Sequence, residues 1–316
     1  MPVAASPTAL GLAAGVALDA LVGDPRRGHP VAVFGAAAAA VERRAHRDAR
    51  AAGAAYALAL TGAPLALGVA VERATRTRPL ARVAVTAAAT CAVLGGTTLR
   101  REAFEMHRRL GGDDLGPARE RLPHLCGRDP SALDRAGLAR ATVESVAENT
   151  SDAVVGPLVW GAVGGVPGLL AYRAANTLDA MVGHRSPRHL RFGWAAARAD
   201  DAANLLPARL TAGLTVLLAP VVGGRPRDAV RAWRRDGGKH PSPNAGPVEA
   251  AFAGALSRTL GGRLSYAGRV EDRPLLGDGP APTVHDVTRA ARLSAAVQAA
   301  AAVLAVTARL VAERRR

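Results

Sequence analysis

The sequence predicts an all-α, polytopic membrane protein, and three observations carry that prediction. Five or six apolar stretches approach the ~20 residues a spanning helix needs. No alternation of apolar and polar residues persists long enough for a strand, and no internal repeat appears. The apolar stretches hold more Ala, Gly and Thr than Leu and Ile, a composition that favours close helix–helix contact in lipid. The alternative is a soluble Ala-rich bundle. Arg82 and Arg209, each inside an apolar stretch, count toward it, while segment length and scarcity of charge count against it.

The stretches follow in order. Pro2–Val22 has no basic segment before it and no clear cleavage site, so it reads as a retained anchor rather than a signal peptide. Ala51–Val71 and Leu80–Leu99 come next. Ala153–Tyr172 contains Gly156-Pro157 and Gly164-Gly165-Val166-Pro167-Gly168, which suit a broken or re-entrant helix lining a cavity. Ala203–Val222 and Leu293–Ala312 complete the set. Basic loops (Gly23–Arg50 and Glu72–Pro79) flank the second stretch on both sides, so the positive-inside rule does not decide the start of the topology. Arg100–Arg140 and Gly223–Arg292 are long and basic and read as cytoplasmic, with amphipathic loop helices. Gly237–Pro247 and Gly277–Pro282 are rich in turn residues and read as loops. Residues 1–316 read as one membrane-embedded domain.

Composition excludes several function classes. The net charge is +15, nearly all of it Arg, and Lys239 is the only lysine. A nucleic-acid footprint needs clustered charge and stacking rings, but the charges are spread and aromatics are only 3%, so no nucleic-acid partner is expected. A basic membrane protein facing anionic lipid explains the same balance. Cys91 and Cys126 have neither metal-ligand nor disulfide-framework spacing. There is no Gly-x-x-x-x-Gly-Lys-Ser/Thr phosphate loop, strand-linked Gly-x-Gly-x-x-Gly, His-Glu-x-x-His or Gly-x-Ser-x-Gly.

The chemistry lies between Glu144 and Asn204, where six carboxylates sit beside bilayer-grade sequence. Burying them is costly unless they bind something. Glu144, Glu148 and Asp152 step by four and share one face of a helix, with Asn149 beside it. They suit Mg²⁺ or a substrate ammonium, or else form a solvated face balanced by Arg140. In Arg198-Ala199-Asp200-Asp201-Ala202-Ala203-Asn204, spacing lets Asp200, Asp201 and Asn204 converge as ligands of a Mg²⁺ that bridges phosphate oxygens, with Arg198 as an anion clamp. The bland reading is a helix N-cap, for which a single Asp would do. Asn176 and Asp179 end the broken segment three residues apart, which also suits plain helix termination at an interface. His29 and His240 lie in polar loops, where a lone histidine is more often structural.

The runs ENTSDAVVGPLVWGAVGGVPGLLAYRAANTLDAMVG, RFGWAAARADDAANLLPARLTA and HPSPNAGPVEAAFAGAL closely resemble the CobD/CbiB family of cobalamin biosynthesis. The opening LDALVGDPRRGHPVAVFG resembles that family's N-terminal signature. The likeness runs from about Asp19 to about Gly277, with four motifs in the right order. It implies adenosylcobinamide-phosphate synthase activity. Such an enzyme is an amide-forming ligase that joins adenosylcobyric acid to (R)-1-aminopropan-2-ol or its O-phosphate, with ATP and Mg²⁺. It implies a multi-pass protein of the cell membrane with a cytoplasmic active site, lipid around it, and other nucleotide-loop assembly enzymes as candidate partners. Set against that chemistry, Asp200, Asp201, Asn204 and Glu144 are candidate metal ligands, and Glu148, Asp152, Asp200 and Asp201 are candidate catalytic groups. Asn149, Asn176, Asp179 and Arg198 would position substrate, while Lys239, His240 and Asn244 would form a mobile anion-binding lid. Two rivals are a membrane transferase acting on a diphosphate-activated lipid alcohol and a transporter. The first needs a prenyl-sized cleft, and the second an inverted repeat that the sequence lacks.

Overall fold

The computed structural model describes residues 6–25, 28–184, 186–266 and 269–314. The first residues of the Pro2–Val22 stretch and the Arg26-Arg27 pair of the opening motif lie outside them. Five helical segments are long and apolar enough to cross a membrane: Arg50–Ala74, Pro79–Leu110, Arg135–Gly183, Trp194–Val222 and Val284–Arg314. A shorter apolar helix covers Pro7–Val22. These match the six stretches expected from sequence. Two compact units result, one from residues 1–95, 152–204 and 301–316, the other from 96–151 and 205–300.

In the first unit, α1 (Pro7–Val22) starts at Ser6, whose hydroxyl accepts the Ala9 N–H at 3.0 Å. Gly11 and Gly15 on α1 bring its backbone against Thr86 and Thr90 of α4 (Pro79–Val93), the close approach that small residues permit. α2 (Pro30–Ala45) and α3 (Arg50–Ala74) pack with α8 (Gly156–Leu178) around Tyr56, Leu178, Val182 and Phe192.

α8 is two helical arms, not one rod. Gly165 breaks it with φ 60° and ψ −144°, a conformation glycine adopts cheaply. The chain then reverses, so that Gly156 abuts Tyr172, Trp160 abuts Gly168 and Gly161 abuts Leu169. The broken segment is therefore a re-entrant helical hairpin. The apolar part of each arm is roughly half the ~20 residues a span requires. At its tip the Val166 N–H donates to Glu72 Oε1 at 3.1 Å, capping the second arm where the helix dipole is positive. Arg82 pairs with the other Glu72 oxygen at 3.0 Å, so the arginine that weakened the membrane reading is neutralised locally.

The second unit holds α5 (Gly96–Leu110), α6 (Gly116–Arg121), α7 (Arg135–Thr150), α10 (Pro226–Asp236) and α11 (Ala245–Leu256). It also holds the second part of α9 (Trp194–Leu218) and the first part of α12 (Val284–Arg314). Gly254 lets α11 lie against Ala229 of α10. Arg289 donates to the carbonyls of Val222 and Leu256, satisfying helix-end acceptors. Arg209 donates to Asn244 Oδ1 at 2.6 Å, which accounts for the other arginine inside an apolar stretch.

One element corrects the expectation that no strand forms. β1 (Leu260–Tyr266) and β2 (Arg269–Leu276) pair antiparallel. A bulge at Gly261 and Gly262, with φ 83° and 85°, interrupts the ladder. That interruption is why alternation was not visible in so short a run.

Candidate active site

Two polar centres emerge, one in each unit. The first lies at the base of the helical hairpin. α7 ends at Thr150, and a π-helical turn, Ser151–Val155, takes the chain into α8. Such turns recur at functional sites because the extra residue re-aims side chains. Asp152 sits in this turn. Across the hairpin, Asn176 Nδ2 lies 3.4 Å from Asp152 Oδ2 and 3.2 Å from Asp200 Oδ1. One amide thus bridges two carboxylates. Asn204 Nδ2 donates to the same Asp200 oxygen at 3.0 Å, and Tyr172 donates from its hydroxyl to Asn204 Oδ1 at 2.7 Å. The Tyr172 hydroxyl also lies 3.0 Å from the Asp152 carbonyl. Asp200 and Asn204 are buried; Asp152 and Asn176 are half-buried.

Asp200 and Asn204 converge as their spacing predicts. Asp201 is half-exposed, and its carboxylate lies 3.6 Å from the exposed Arg198 guanidinium one turn earlier on the same helix. Asp179 opens a second π-helical turn, Asp179–Gly183, and packs against Gly183.

The second centre surrounds Glu144, which is buried with both oxygens engaged. Arg128 Nη2 donates to Oε2 and the Gly261 N–H to Oε1, each at 2.7 Å. The β bulge is what presents that N–H. Glu144, expected as a metal ligand, thus has both oxygens occupied by protein donors of its own unit. Glu148 is exposed, in the field of Arg273, Glu144 and Arg128. Asn149 turns back onto Ser145, donating to its carbonyl at 2.9 Å. Asp152 lies in the π-helical turn that follows the helix carrying Glu144 and Glu148.

His240 and Glu249 are buried in the same centre, their Nε2 and Oε1 atoms 3.8 Å apart. Arg273 Nη1 lies 3.1 Å from His240 Nε2, so that nitrogen accepts and the ring is neutral. Burial, then the Arg273 charge, pushes the His240 pKa down to about 4. Burial, then the nearby Glu144 and Glu148 charges, pushes the Glu249 carboxyl well up. Lys239 Nζ is paired with Asp236 at 2.8 Å, and Asn244 accepts from Arg209. Asp236 also takes Arg235 and the Gly277 N–H, and these partners hold it well below the usual carboxylate range despite its burial. The expected lid of Lys239, His240 and Asn244 is thus pinned by internal bonds.

Sequence reasoning assigned no role to Tyr172, Arg173, Glu249, Arg128 or Arg273. A lone Glu within the apolar run of α11 was a visible signal for Glu249. The arginines carried none in so Arg-rich a chain. Among the described residues no group of three or more His, Cys, Asp or Glu side chains forms a metal cluster.

Fold and polar centres together define a polytopic helical membrane protein whose polar residues are held on a re-entrant hairpin. A family model described as CobD/Cbib protein matches residues 12–294, and the chain belongs to that family of cobalamin-biosynthesis proteins. It is 58% identical over 299 residues to the cobalamin biosynthesis protein CobD of Mycobacterium tuberculosis, covering 94% of this chain and 95% of the relative. The protein of the same name from Chromobacterium violaceum is 46% identical over 291 residues, 90% of this chain and 92% of its own. That of Geobacter metallireducens is 45% identical over 269 residues, 83% and 84% respectively. No solved structure matches the chain.

Proposed function

We propose that this protein is the amide-forming ligase of its pathway, joining the free carboxylate of adenosylcobyric acid to (R)-1-aminopropan-2-ol or its O-phosphate. The observation that carries the reading is the pair of carboxylates, Asp152 and Asp200, held on one Asn176 amide at the hairpin base. A carboxylate and an ammonium do not condense at a useful rate, so the carboxylate must first be activated. ATP is the expected co-substrate: the corrinoid carboxylate oxygen attacks the γ-phosphorus and ADP leaves. The amine then attacks the acyl carbon, its proton passes to a base and inorganic phosphate departs.

Two carboxylates, with no cluster of three His, Cys, Asp or Glu among the described residues, fit Mg²⁺, which is commonly held by one or two carboxylates together with substrate phosphates and water. Asp152 and Asp200 would hold it. When bound, Mg²⁺ supplies neutralisation of the phosphate charge. Asn176 fixes the separation of the two carboxylates, while Tyr172 and Asn204 fix the orientation of Asp200. Asp152 is less buried than Asp200, so the oxygen it leaves free of the metal would be the one open to the amine. In the second unit, exposed Glu148 suits a substrate ammonium. The long basic segments favour a cell-membrane protein with a cytoplasmic site, where other nucleotide-loop assembly enzymes would be partners.

The test is reconstitution. Detergent-purified protein is incubated with adenosylcobyric acid, aminopropanol phosphate, ATP and Mg²⁺, and corrinoids are read by mass spectrometry. Product that requires all four, and that chelation abolishes, supports the ligase. Product without ATP moves activation elsewhere and recasts Asp152 and Asp200 as ligands of substrate phosphate. No product from folded protein, with no rescue of a cobinamide-requiring strain, rejects the reading.

A further inference from the structure

Beside the hairpin, the first unit contains a cavity of about 430 Å³. Its wall is almost wholly apolar, with Phe34, Leu60, Leu67, Val93 and Leu170 among the lining side chains. Among the described residues, Arg173 is the one charged side chain on that wall. Its Nε is shielded from solvent and has no hydrogen-bond partner among the described residues. Its Nη1 makes a long hydrogen bond, 3.3 Å, to Asn176 Oδ1. Asp24 and Asp152 share its field without occupying Nε. A guanidinium left partly unsatisfied against apolar walls costs several kcal/mol unless something pairs with it. The Arg173 Nε is closed to the cavity as well, so a ligand there would meet the Nη end of the planar guanidinium, a group suited to a carboxylate. The cavity therefore calls for a ligand that carries an anion on an apolar arm. Through Asn176 the guanidinium is one side chain removed from both Asp152 and Asp200.

We propose that Arg173 binds the reacting carboxylate of the corrinoid, with the methylene and methyl edge beside that carboxylate seated in the apolar cavity. The proposal rests on the ligase reading above and adds a substrate-binding residue and subsite. An amino alcohol fits the cavity less well, because its ammonium would meet a like charge. The guanidinium would hold the carboxylate next to the carboxylate pair that carries the activating phosphate, and would offset the charge that grows as the acyl phosphate forms.

Binding without turnover tests it. The full chain in detergent is titrated, without ATP, with adenosylcobyric acid and with its analogue in which the reacting carboxylate is a primary amide. Corrinoid absorbance serves as the readout. Wild type is expected to favour the acid on the order of tenfold or more, the range of a charge-assisted hydrogen bond. Arg173→Gln should bring the ratio near one while leaving amide affinity unchanged, and Arg173→Lys should restore part of it. Ala63→Phe, which fills the cavity, should weaken acid and amide alike. Equal binding of acid and amide by wild type overturns the proposal without any variant, as does an unchanged ratio in folded Arg173→Gln. Either result leaves the ligase reading intact. A lipid that co-purifies with wild type, is lost from Arg173→Gln and is not displaced by the acid makes this a lipid site and also overturns it. No corrinoid binding at all rejects the ligase reading, and the proposal with it.

Discussion

Asp152 and Asn176 stand 24 residues apart in the chain, yet their side chains meet at 3.4 Å because the helix between them reverses at Gly165. A straight helix of that length would hold them ~36 Å apart. The hairpin is thus what turns two separate polar patches into one centre, and the tests below follow from that geometry.

Asp200→Asn is expected to lower turnover on the order of 10²-fold or more, because Asp200 accepts from both amides and is itself one of the two carboxylates. Asp201→Asn should stay within about fivefold of wild type, since its exposed pairing with Arg198 is worth little. Product formation by mass spectrometry checks both, and equal losses would put Asp201 back in the site.

Gly165→Ala should destabilise the protein by at least ~1–2 kcal/mol. Its φ of 60° is unfavourable for an L residue, and the new methyl would strike Glu72, the carboxylate that caps the second arm. A lowered melting midpoint in detergent is the readout. An unchanged midpoint would mean that the reversal does not depend on glycine.

The His240–Glu249 pair predicts compensating pH effects. His240 titrates near 4 when folded and near ~6.5 when unfolded, so the stability it contributes is complete above that unfolded value. That stability, up to roughly 3 kcal/mol, is lost as pH falls toward 4. Glu249 has a raised folded pKa, so its contribution is complete below about 4.3 and is lost as pH rises through the folded value. The two slopes oppose each other across mildly acidic pH. Glu249→Gln should therefore lose stability on acidification and His240→Gln should gain it, with wild type between them. Denaturation midpoints from pH 4 to 7 would expose the error if all three proteins shared one slope.

Lys239→Met should cost less than ~1 kcal/mol and leave the KM for ATP and for aminopropanol phosphate unchanged. Its ammonium is half exposed and already paired with Asp236. A tenfold rise in either KM would return Lys239 to an anion site.

Much of this was legible beforehand. Membrane-length helices follow from runs of apolar residues, and the break at Gly164–Gly168 follows from glycine and proline chemistry. Asp200 with Asn204 followed from i, i+4 spacing, and the Arg198–Asp201 pair from i, i+3 spacing. The π turn at Ser151–Val155, which follows Glu144 and Glu148 and holds Asp152, was not legible in the spacing. The β hairpin was hidden by a two-glycine bulge.

What the sequence determined by itself was the class of fold, the family and the short-range pairs, because these depend on local periodicity and on motifs that occupy one stretch of chain. Only the tertiary structure decided that Asp152 shares Asn176 with Asp200, that Arg128 and Gly261 take up Glu144, and that His240 lies against Glu249 and Arg273. Most of these contacts join residues more than twenty apart in the chain. Their meeting is set by where a helix reverses and which small residues let backbones approach, and no local spacing encodes that.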